Sequence, residues 1–294
     1  MKKLLSIIYR LLFRNPSTLI GKLIIFVLSD RYVDKCISLT YTTKAVQKKN
    51  IFQYIEMYFI RCVLKEQKSR LENCSDDEQE RYMMQLWSGT PGEARHAVIS
   101  EIDQQSYINQ KNIIVTEVRK NLCKNIQFEC LCELGTGGGR FLEHISRELF
   151  GYIDHFVGID LSEKIIAANC EQYRSANLNF KAADAISWVE STLYNSIIFI
   201  SCNTFYCLAE KQMERFLDAV TKKQAVIIGL SEVVNINLDR TFSSCLRPGI
   251  HPFYSHNYPY LFKKYGFIEL FKKTTVIDAS TNYQDIKMIV EYTI

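Results

Sequence analysis

The most constraining stretch of this sequence is a glycine cluster that separates two apolar segments. The residues in front, 128–132, predict a short strand, and the apolar residues at helical spacing over 141–149 predict a helix. Glycines at positions 135, 137, 138 and 139 stand between them. Glycine lets the backbone adopt positive φ and approach a bound molecule, and the following helix begins with unpaired N–H groups. The stretch therefore predicts a nucleotide-like ligand at a strand-to-helix turn.

The spacing of the cluster narrows the kind of nucleotide. The dinucleotide fingerprint needs its third glycine at position 140, where Arg140 stands. A P-loop needs a lysine followed by Ser or Thr, and no such pair follows the cluster. What the sequence has instead is Glu133 at the end of the strand, followed by glycines at alternate positions. Neither phosphate-binding pattern therefore applies.

Two further strands are predicted to end in carboxylates. Residues 155–160 end at Asp160, which lies 21 residues after Gly139, and residues 178–182 lead into Asp184. The helix predicted between the first two strands returns the chain beside the first strand. Taken singly, each aspartate also suits a helix N-cap or a turn. Three acidic residues at the ends of three successive strands are much less common by chance than a single one, so the three together favour a binding site.

This layout resembles the first motifs of the class I S-adenosylmethionine-dependent methyltransferases. The resemblance covers about the last two-thirds of the chain. It implies an α/β fold, a Rossmann-like, doubly wound and mostly parallel seven-stranded sheet, with S-adenosyl-L-methionine as cofactor. That cofactor carries an ammonium and a sulfonium and no phosphate, which suits the acidic Glu133. The resemblance also implies that Asp160 meets the ribose hydroxyls and Asp184 the adenine amino group.

The rest of the chain continues the alternation of strands and helices. Apolar runs at 197–200 and 225–232 predict buried strands, and 267–276 with 286–292 predicts a final hairpin. Ligands of such sheets lie outside the carboxyl ends of the strands. The residues predicted to bind the cofactor, by motif or by position, are Glu133, Gly135, Thr136, Gly137, Gly139, Asp160, Leu161, Asp184, Ala185, Ser201 and Asn203. No metal is expected, because Cys and His show no zinc spacing.

The resemblance implies an acceptor site between the fifth strand and the last helix, where a proline- and histidine-rich segment lies at 247–259. It holds three of the five prolines and two of the five histidines. We expect the acceptor between this segment and the N-terminal region, with His256 or His251 as a general base and Glu232 as a third candidate. The alternative is a rigid aromatic loop whose histidines only bond to the backbone.

The first third of the chain differs from the rest in charge. Residues 1–73 contain 14 lysines and arginines but only five acidic residues, while the whole chain carries a net charge of only +4. We predict a basic helical cap at 1–92 and a catalytic domain at 93–294. The apolar runs within 1–28 are shorter than a membrane span. They fit either helices packed on the catalytic domain or a peripheral membrane contact.

A resemblance to the methyltransferases of polysaccharide assembly implies methylation of a sugar or lipid-linked saccharide hydroxyl. Other acceptors, a protein or another small molecule, stay open, as does a non-catalytic partner protein that only binds S-adenosylmethionine. Nucleic acid is disfavoured because the positive charge lies outside the catalytic two-thirds. Ten cysteines without a C-x-x-C pair predict reduced thiols, hence a cytoplasmic protein, with the inner membrane face as the site of any peripheral contact. The oligomeric state is left open.

Overall fold

The computed structural model describes five continuous ranges: 74–89, 104–122, 126–235, 254–278 and 283–294. It also describes single helical residues before position 94, namely 20, 22, 23, 58–60, 62, 63, 65, 66, 69 and 93, and it gives no side chains for 104–107 and 278. His251, the remainder of 247–253 and nearly all of 1–28 lie outside the described residues. The predictions made for them stay predictions.

The chain forms two compact units. The first comprises Met1–Ile99 with Gly249–Pro252. Its helix α1, Asp76–Ser88, begins at a capping box in which Ser75 and Glu78 satisfy each other's backbone N–H groups. The three acidic residues of its first turn stabilise the helix, because they lie at the positive end of the helix dipole. The polar run at 75–80 therefore starts a helix.

The second unit comprises Ser100–Pro248 with Phe253–Ile294 and alternates helices with strands. Its elements, in chain order, are α2 Gln104–Leu122, β1 Cys130–Leu134, α3 Arg140–Glu148, β2 His155–Asp160, α4 Glu163–Gln172, β3 Leu178–Ala182, α5 Ala185–Ser191, β4 Ser196–Cys202, a 3₁₀ turn Phe205–Cys207, α6 Glu210–Val220, β5 Ala225–Asn235, α7 Tyr258–Lys264, β6 Ile268–Asp278 and β7 Tyr283–Thr293. The predicted order of strands and helices is confirmed.

The strands form one seven-stranded sheet in the order β3-β2-β1-β4-β5-β7-β6. The first five are parallel, and β7 lies antiparallel between β5 and β6. The chain runs outward from β1 to β3 and then returns to β4 on the other side of β1. This reversal opens a crevice at the carboxyl ends of β1 and β4, the place where such sheets bind ligands.

Apolar side chains cover both faces of the sheet. Every residue of β1 and β4 is buried, as expected for parallel strands between two helical layers. Helices α2, α3 and α4 pack on one face, with Ile114, Leu142 and Ile166 among the contacts. Helices α5, α6 and α7 pack on the other. The crevice is therefore built on a rigid frame.

Within the described residues, no helix is long and apolar enough to cross a membrane.

Candidate functional site

The glycine turn connects β1 to α3 in a left-handed backbone conformation. Gly135, Gly137 and Gly139 have φ of 64°, 51° and 73°. Helix α4 stabilises this turn, because the Asn169 side-chain amide donates a hydrogen bond to the Gly137 carbonyl at 2.6 Å. The Tyr173 hydroxyl donates to the Gly138 carbonyl at 3.0 Å. The turn is thus fixed before any ligand arrives.

Gly139 gives a direct test of this geometry. A Cβ at this position would lie 2.8 Å from the Tyr173 ring and 2.9 Å from the Phe180 ring, on a backbone with positive φ. We expect Gly139→Ala to lower the free energy of unfolding by about 2–4 kcal/mol, from backbone strain plus overpacking. Urea denaturation measures this change.

Gly138 is the matched control for Gly139. A Cβ there meets nothing within 4 Å, and its φ is not positive. Gly138→Ala should therefore change the free energy of unfolding by less than about 1 kcal/mol. Equal losses in the two variants would contradict the described turn.

Asp160 ends β2 and faces the glycine turn. Its side chain is 8% exposed, and its Oδ2 accepts the Gly137 N–H at 3.1 Å. Its Oδ1 accepts the Ser162 N–H at 3.0 Å. The backbone therefore orients this carboxylate beside the glycine turn.

Glu133 lies under the same turn and is almost fully buried. Its Oε2 accepts the Thr136 hydroxyl at 2.7 Å. Burial raises the pKa of Glu133 to about 8, and the Asp160 carboxylate acts in the same direction, while the bond from Thr136 opposes the shift. Without a nearby cation, Glu133 is therefore mostly protonated at neutral pH.

Asp184 follows β3 and caps helix α5. Its Oδ1 accepts the N–H groups of Ile186 at 3.0 Å and Ser187 at 2.9 Å. Asp184 is therefore an N-cap residue through its Oδ1, as the alternative interpretation predicted. Contact of its Oδ2 with an adenine stays a prediction. Leu161 and Ala185, which follow the two aspartates, are half-buried.

The turn after β4 completes the crevice. Asn203 has φ of 61°, the one positive value of a non-glycine residue in the described ranges. Its Oδ1 is buried and has no hydrogen-bond partner among the residues that the structure describes. The neighbouring Thr204 hydroxyl donates to the Leu134 carbonyl at 2.8 Å and packs against Gly135. The β4 turn and the glycine turn therefore support each other.

Glu232 and His256, which were predicted as general bases, form hydrogen bonds that stabilise the turn after β4. Glu232 Oε1 accepts the Ser201 hydroxyl at 2.6 Å and the Thr204 N–H at 3.0 Å. His256, which is 2% exposed, approaches the Leu208 carbonyl with its Nε2 at 3.0 Å. Since a carbonyl only accepts, Nε2 carries the proton. In the described geometry both side chains position the turn, and their action as a base stays a prediction.

The burial of His256 predicts a pH-dependent stability. Burial lowers the pKa of His256 to about 4, although the hydrogen bond to the Leu208 carbonyl acts to raise this pKa. Because this value lies below the unfolded pKa of about 6.5, the stabilisation is complete above pH 6.5 and is lost as the pH falls toward 4. We expect a loss of about 2–3 kcal/mol in the free energy of unfolding between pH 7 and 4.5, measured by urea denaturation.

A pair of histidine variants isolates this contribution. His256→Gln keeps an N–H donor but does not titrate, so its pH dependence should be flatter by that amount. His155→Gln, at an exposed position that begins β2, should behave like the wild type. If His256→Gln loses stability with acid as steeply as the wild type, another group is responsible.

Two supporting residues were not predicted from the sequence: Asn169 and Tyr173. One signal existed for Asn169, which lies three residues after the buried Ile166 and thus on the apolar side of α4. No signal marked Tyr173. Thr204 was a candidate because it follows the predicted end of β4. In the described part of the chain, no group of three or more His, Cys, Asp or Glu side chains is placed to hold a metal ion.

Part of the chain matches a known family. Residues 131–223, from β1 to just beyond α6, match the family model described as a methyltransferase domain. None of the curated proteins compared with the chain matches it.

Two solved structures are similar to this chain. Magnesium protoporphyrin IX methyltransferase (ChlM) from Synechocystis PCC 6803 with bound S-adenosylhomocysteine superimposes with a TM-score of 0.51 at 13% identity, over 72% of this chain and 99% of that chain. The N-methyltransferase NodS from Bradyrhizobium japonicum WM9, in complex with S-adenosyl-L-homocysteine, gives 0.47 at 11% identity, over 72% and 97%. The likeness to ChlM supports the fold, and at 13% identity it concerns the fold alone.

The sheet order and the crevice define an α/β protein of the Rossmann-like methyltransferase type. Residues 131–223 match a methyltransferase domain, and the resemblance to methyltransferases predicted from the sequence is confirmed for this part of the chain.

Proposed function

We propose that this protein transfers a methyl group from S-adenosylmethionine to an acceptor, with the cofactor held in the crevice between β1, β2 and β4. The observation that carries the proposal is the Asp160 carboxylate, which the N–H groups of Gly137 and Ser162 fix beside the glycine turn. A diol such as the ribose of the cofactor offers two O–H donors to such a carboxylate.

The other groups of the crevice fit a cationic, phosphate-free nucleoside. Glu133 is a buried carboxyl, and the buried Oδ1 of Asn203 is an acceptor for an ammonium or another donor. When bound, S-adenosylmethionine supplies a methyl group activated by its sulfonium. The chain's own residues then orient the cofactor and acceptor and exclude water, which is the main requirement of an in-line displacement.

For the acceptor we propose a hydroxyl of a sugar or lipid-linked saccharide. The support is the sequence of 247–259 together with the basic, apolar residues 1–28. Of the former, the structure describes 254–259, where Tyr254, His256 and Tyr258 form consecutive ring contacts. A cytoplasmic location with peripheral membrane contact belongs to the same proposal. A protein or another small molecule is the alternative acceptor.

The function is tested first by binding and then by methyl transfer. Calorimetric titration with S-adenosylmethionine should give micromolar affinity, and NAD should not bind. An acceptor screen with labelled methyl groups then compares lipid-linked saccharides, free sugars and proteins. Preference for NAD would overturn the proposal, and cofactor binding without transfer to any acceptor class would favour a non-catalytic binding protein.

A further inference from the structure

The Asn203 carboxamide oxygen is a buried hydrogen-bond acceptor beside the crevice. The Asn203 backbone has φ of 61°, and its Oδ1 has no hydrogen-bond partner among the residues that the structure describes. A buried acceptor without a donor is costly, because it has lost its bonds to water and gained none in exchange. Glycine adopts the same φ more readily and has no side chain to bury. The backbone of the turn therefore does not account for an asparagine at this position.

The protein itself provides partners for the backbone of the turn after β4. Glu232 Oε1 accepts the N–H groups of Thr204 at 3.0 Å and Phe205 at 3.1 Å. The Asn203 N–H donates to the Ser231 carbonyl at 3.0 Å. These hydrogen bonds fix the shape of the turn, and the Asn203 side chain takes no part in them. Its carboxamide is thus held in place and still lacks a donor for Oδ1.

Strand register places Asn203 beside the glycine turn. Ser201 pairs with Leu134, the last residue of β1, so Asn203 lies two residues beyond this pair. Adjacent strands lie about 4.8 Å apart. Thr204, the next residue, donates its hydroxyl to the Leu134 carbonyl at 2.8 Å. Asn203 therefore lies on the β4 side of the glycine turn, whereas Asp160 lies on its β2 side.

This position suits the reacting end of a bound cofactor. In the proposed function the ribose binds Asp160, and one carbon separates the ribose ring from the sulfur that carries the methyl group. In an in-line displacement the acceptor atom approaches the methyl carbon from the side opposite the sulfur. Asn203 as a whole is half-buried, so the residue is not enclosed by the protein. An acceptor that enters over β4 would therefore pass this carboxamide.

We propose that Asn203 Oδ1 accepts a hydrogen bond from the acceptor atom that becomes methylated. It thereby selects an acceptor that bears a hydrogen on that atom, which is a hydroxyl or an amine. This inference rests on the proposed function, because the methyl group comes from the cofactor in the crevice. A carboxylate acceptor has no such hydrogen, and its lone pairs would face those of Oδ1. Glu232, which fixes the turn, is then a positioning residue for Asn203.

The hydrogen bond orients a lone pair of the acceptor atom toward the methyl carbon. This lone pair forms the new bond to carbon, the carbon–sulfur bond breaks with its electron pair going to sulfur, and the proton of the acceptor passes to water. The amide oxygen of Asn203 keeps the hydrogen bond and takes no proton. Its role therefore differs from that of a general base.

Sinefungin tests this role without an identified acceptor. It is an analogue of S-adenosylhomocysteine in which a carbon with an amino group replaces the sulfur. Its amine is a donor close to the position of the transferred methyl group, while the adenosine and amino-acid ends are the same in both molecules. In calorimetric titrations the wild type should prefer sinefungin. Asn203→Gly should weaken sinefungin binding about 10- to 100-fold relative to S-adenosylhomocysteine.

The choice of variants keeps the turn intact. Asn203→Gly suits the positive φ and removes only the carboxamide. Asn203→Asp has an oxygen at both ends of its side chain, so it should keep the preference for sinefungin. Asn195→Ala is the matched control, because Asn195 is exposed and precedes β4 at the opposite end of the strand. It should behave like the wild type. Thermal melting reports the fold of each variant.

5′-Methylthioadenosine, which lacks the amino-acid group, separates the other outcomes. If Asn203→Gly weakens S-adenosylhomocysteine but not 5′-methylthioadenosine, the carboxamide binds the amino-acid end of the cofactor and the proposal is wrong. If Asn203→Gly weakens all three ligands equally, or none of them, the role of Asn203 is structural and the proposal is also wrong. If the wild type binds none of the three, the proposed function fails and this inference fails with it.

Discussion

Asp160→Ala is expected to weaken S-adenosylmethionine binding by at least about 100-fold. The variant removes a buried carboxylate that the N–H groups of Gly137 and Ser162 hold beside the glycine turn. Hydrogen bonds to a charged group contribute about 1.5–3 kcal/mol each, so the loss of two ribose contacts costs about 3 kcal/mol or more. Calorimetric titration measures the change in Kd.

A ligand lacking one hydroxyl separates direct contact from a disturbed turn. The wild type should bind 2′-deoxy-S-adenosylhomocysteine about tenfold more weakly than S-adenosylhomocysteine, whereas Asp160→Ala should bind both alike. Asp154→Ala, at an exposed carboxylate just before β2 and away from the glycine turn, is the control for a general effect of removing a carboxylate. Retention of the preference for the hydroxyl in Asp160→Ala would show that another residue binds the ribose.

Cofactor binding is expected to release a proton from Glu133. With a pKa of about 8 in the free protein, Glu133 is about nine-tenths protonated at pH 7. A cation nearby favours the carboxylate, so binding lowers this pKa. The Kd should therefore fall about tenfold per unit as the pH rises from 6 toward 8, and level off above 8.

Calorimetry in two buffers of different ionisation enthalpy counts the released protons. Glu133→Gln should release fewer protons on binding, and its Kd should lose most of its pH dependence. The glutamine side chain keeps an acceptor for the Thr136 hydroxyl. The amino group of S-adenosylmethionine itself titrates, but equally for both proteins. Equal proton release by the wild type and Glu133→Gln would mean that Glu133 stays protonated in the complex.

The fold was predictable from local pattern because the strands are buried on both faces. Such strands have nearly continuous apolar sequences, as in 197–200 and 225–232, and the helices between them show one apolar side. The glycine turn and Asp160 were predictable for a related reason. A ligand that approaches the backbone closely requires glycine. An aspartate at the end of an otherwise apolar strand is easy to recognise, because few other polar residues occur in such a strand.

The roles of Glu232 and His256 were harder to predict from sequence. Glu232 lies near the end of β5 and His256 just before α7, but such a position does not reveal which atoms a side chain meets. In the fold Glu232 lies beside the N–H groups of the β4 turn, and His256 beside the Leu208 carbonyl. A buried turn needs partners for its backbone groups, and these two side chains provide them.

The sequence alone determined the alternation of strands and helices, the glycine turn and the acidic strand ends, because each depends on neighbours within a few residues. The tertiary structure alone decided which distant residues meet. Lys111 and Asp285 are 174 positions apart in the chain, yet Ser231 bonds to both. Such contacts depend on strand register and helix packing, which bring together residues whose local sequences carry no record of one another.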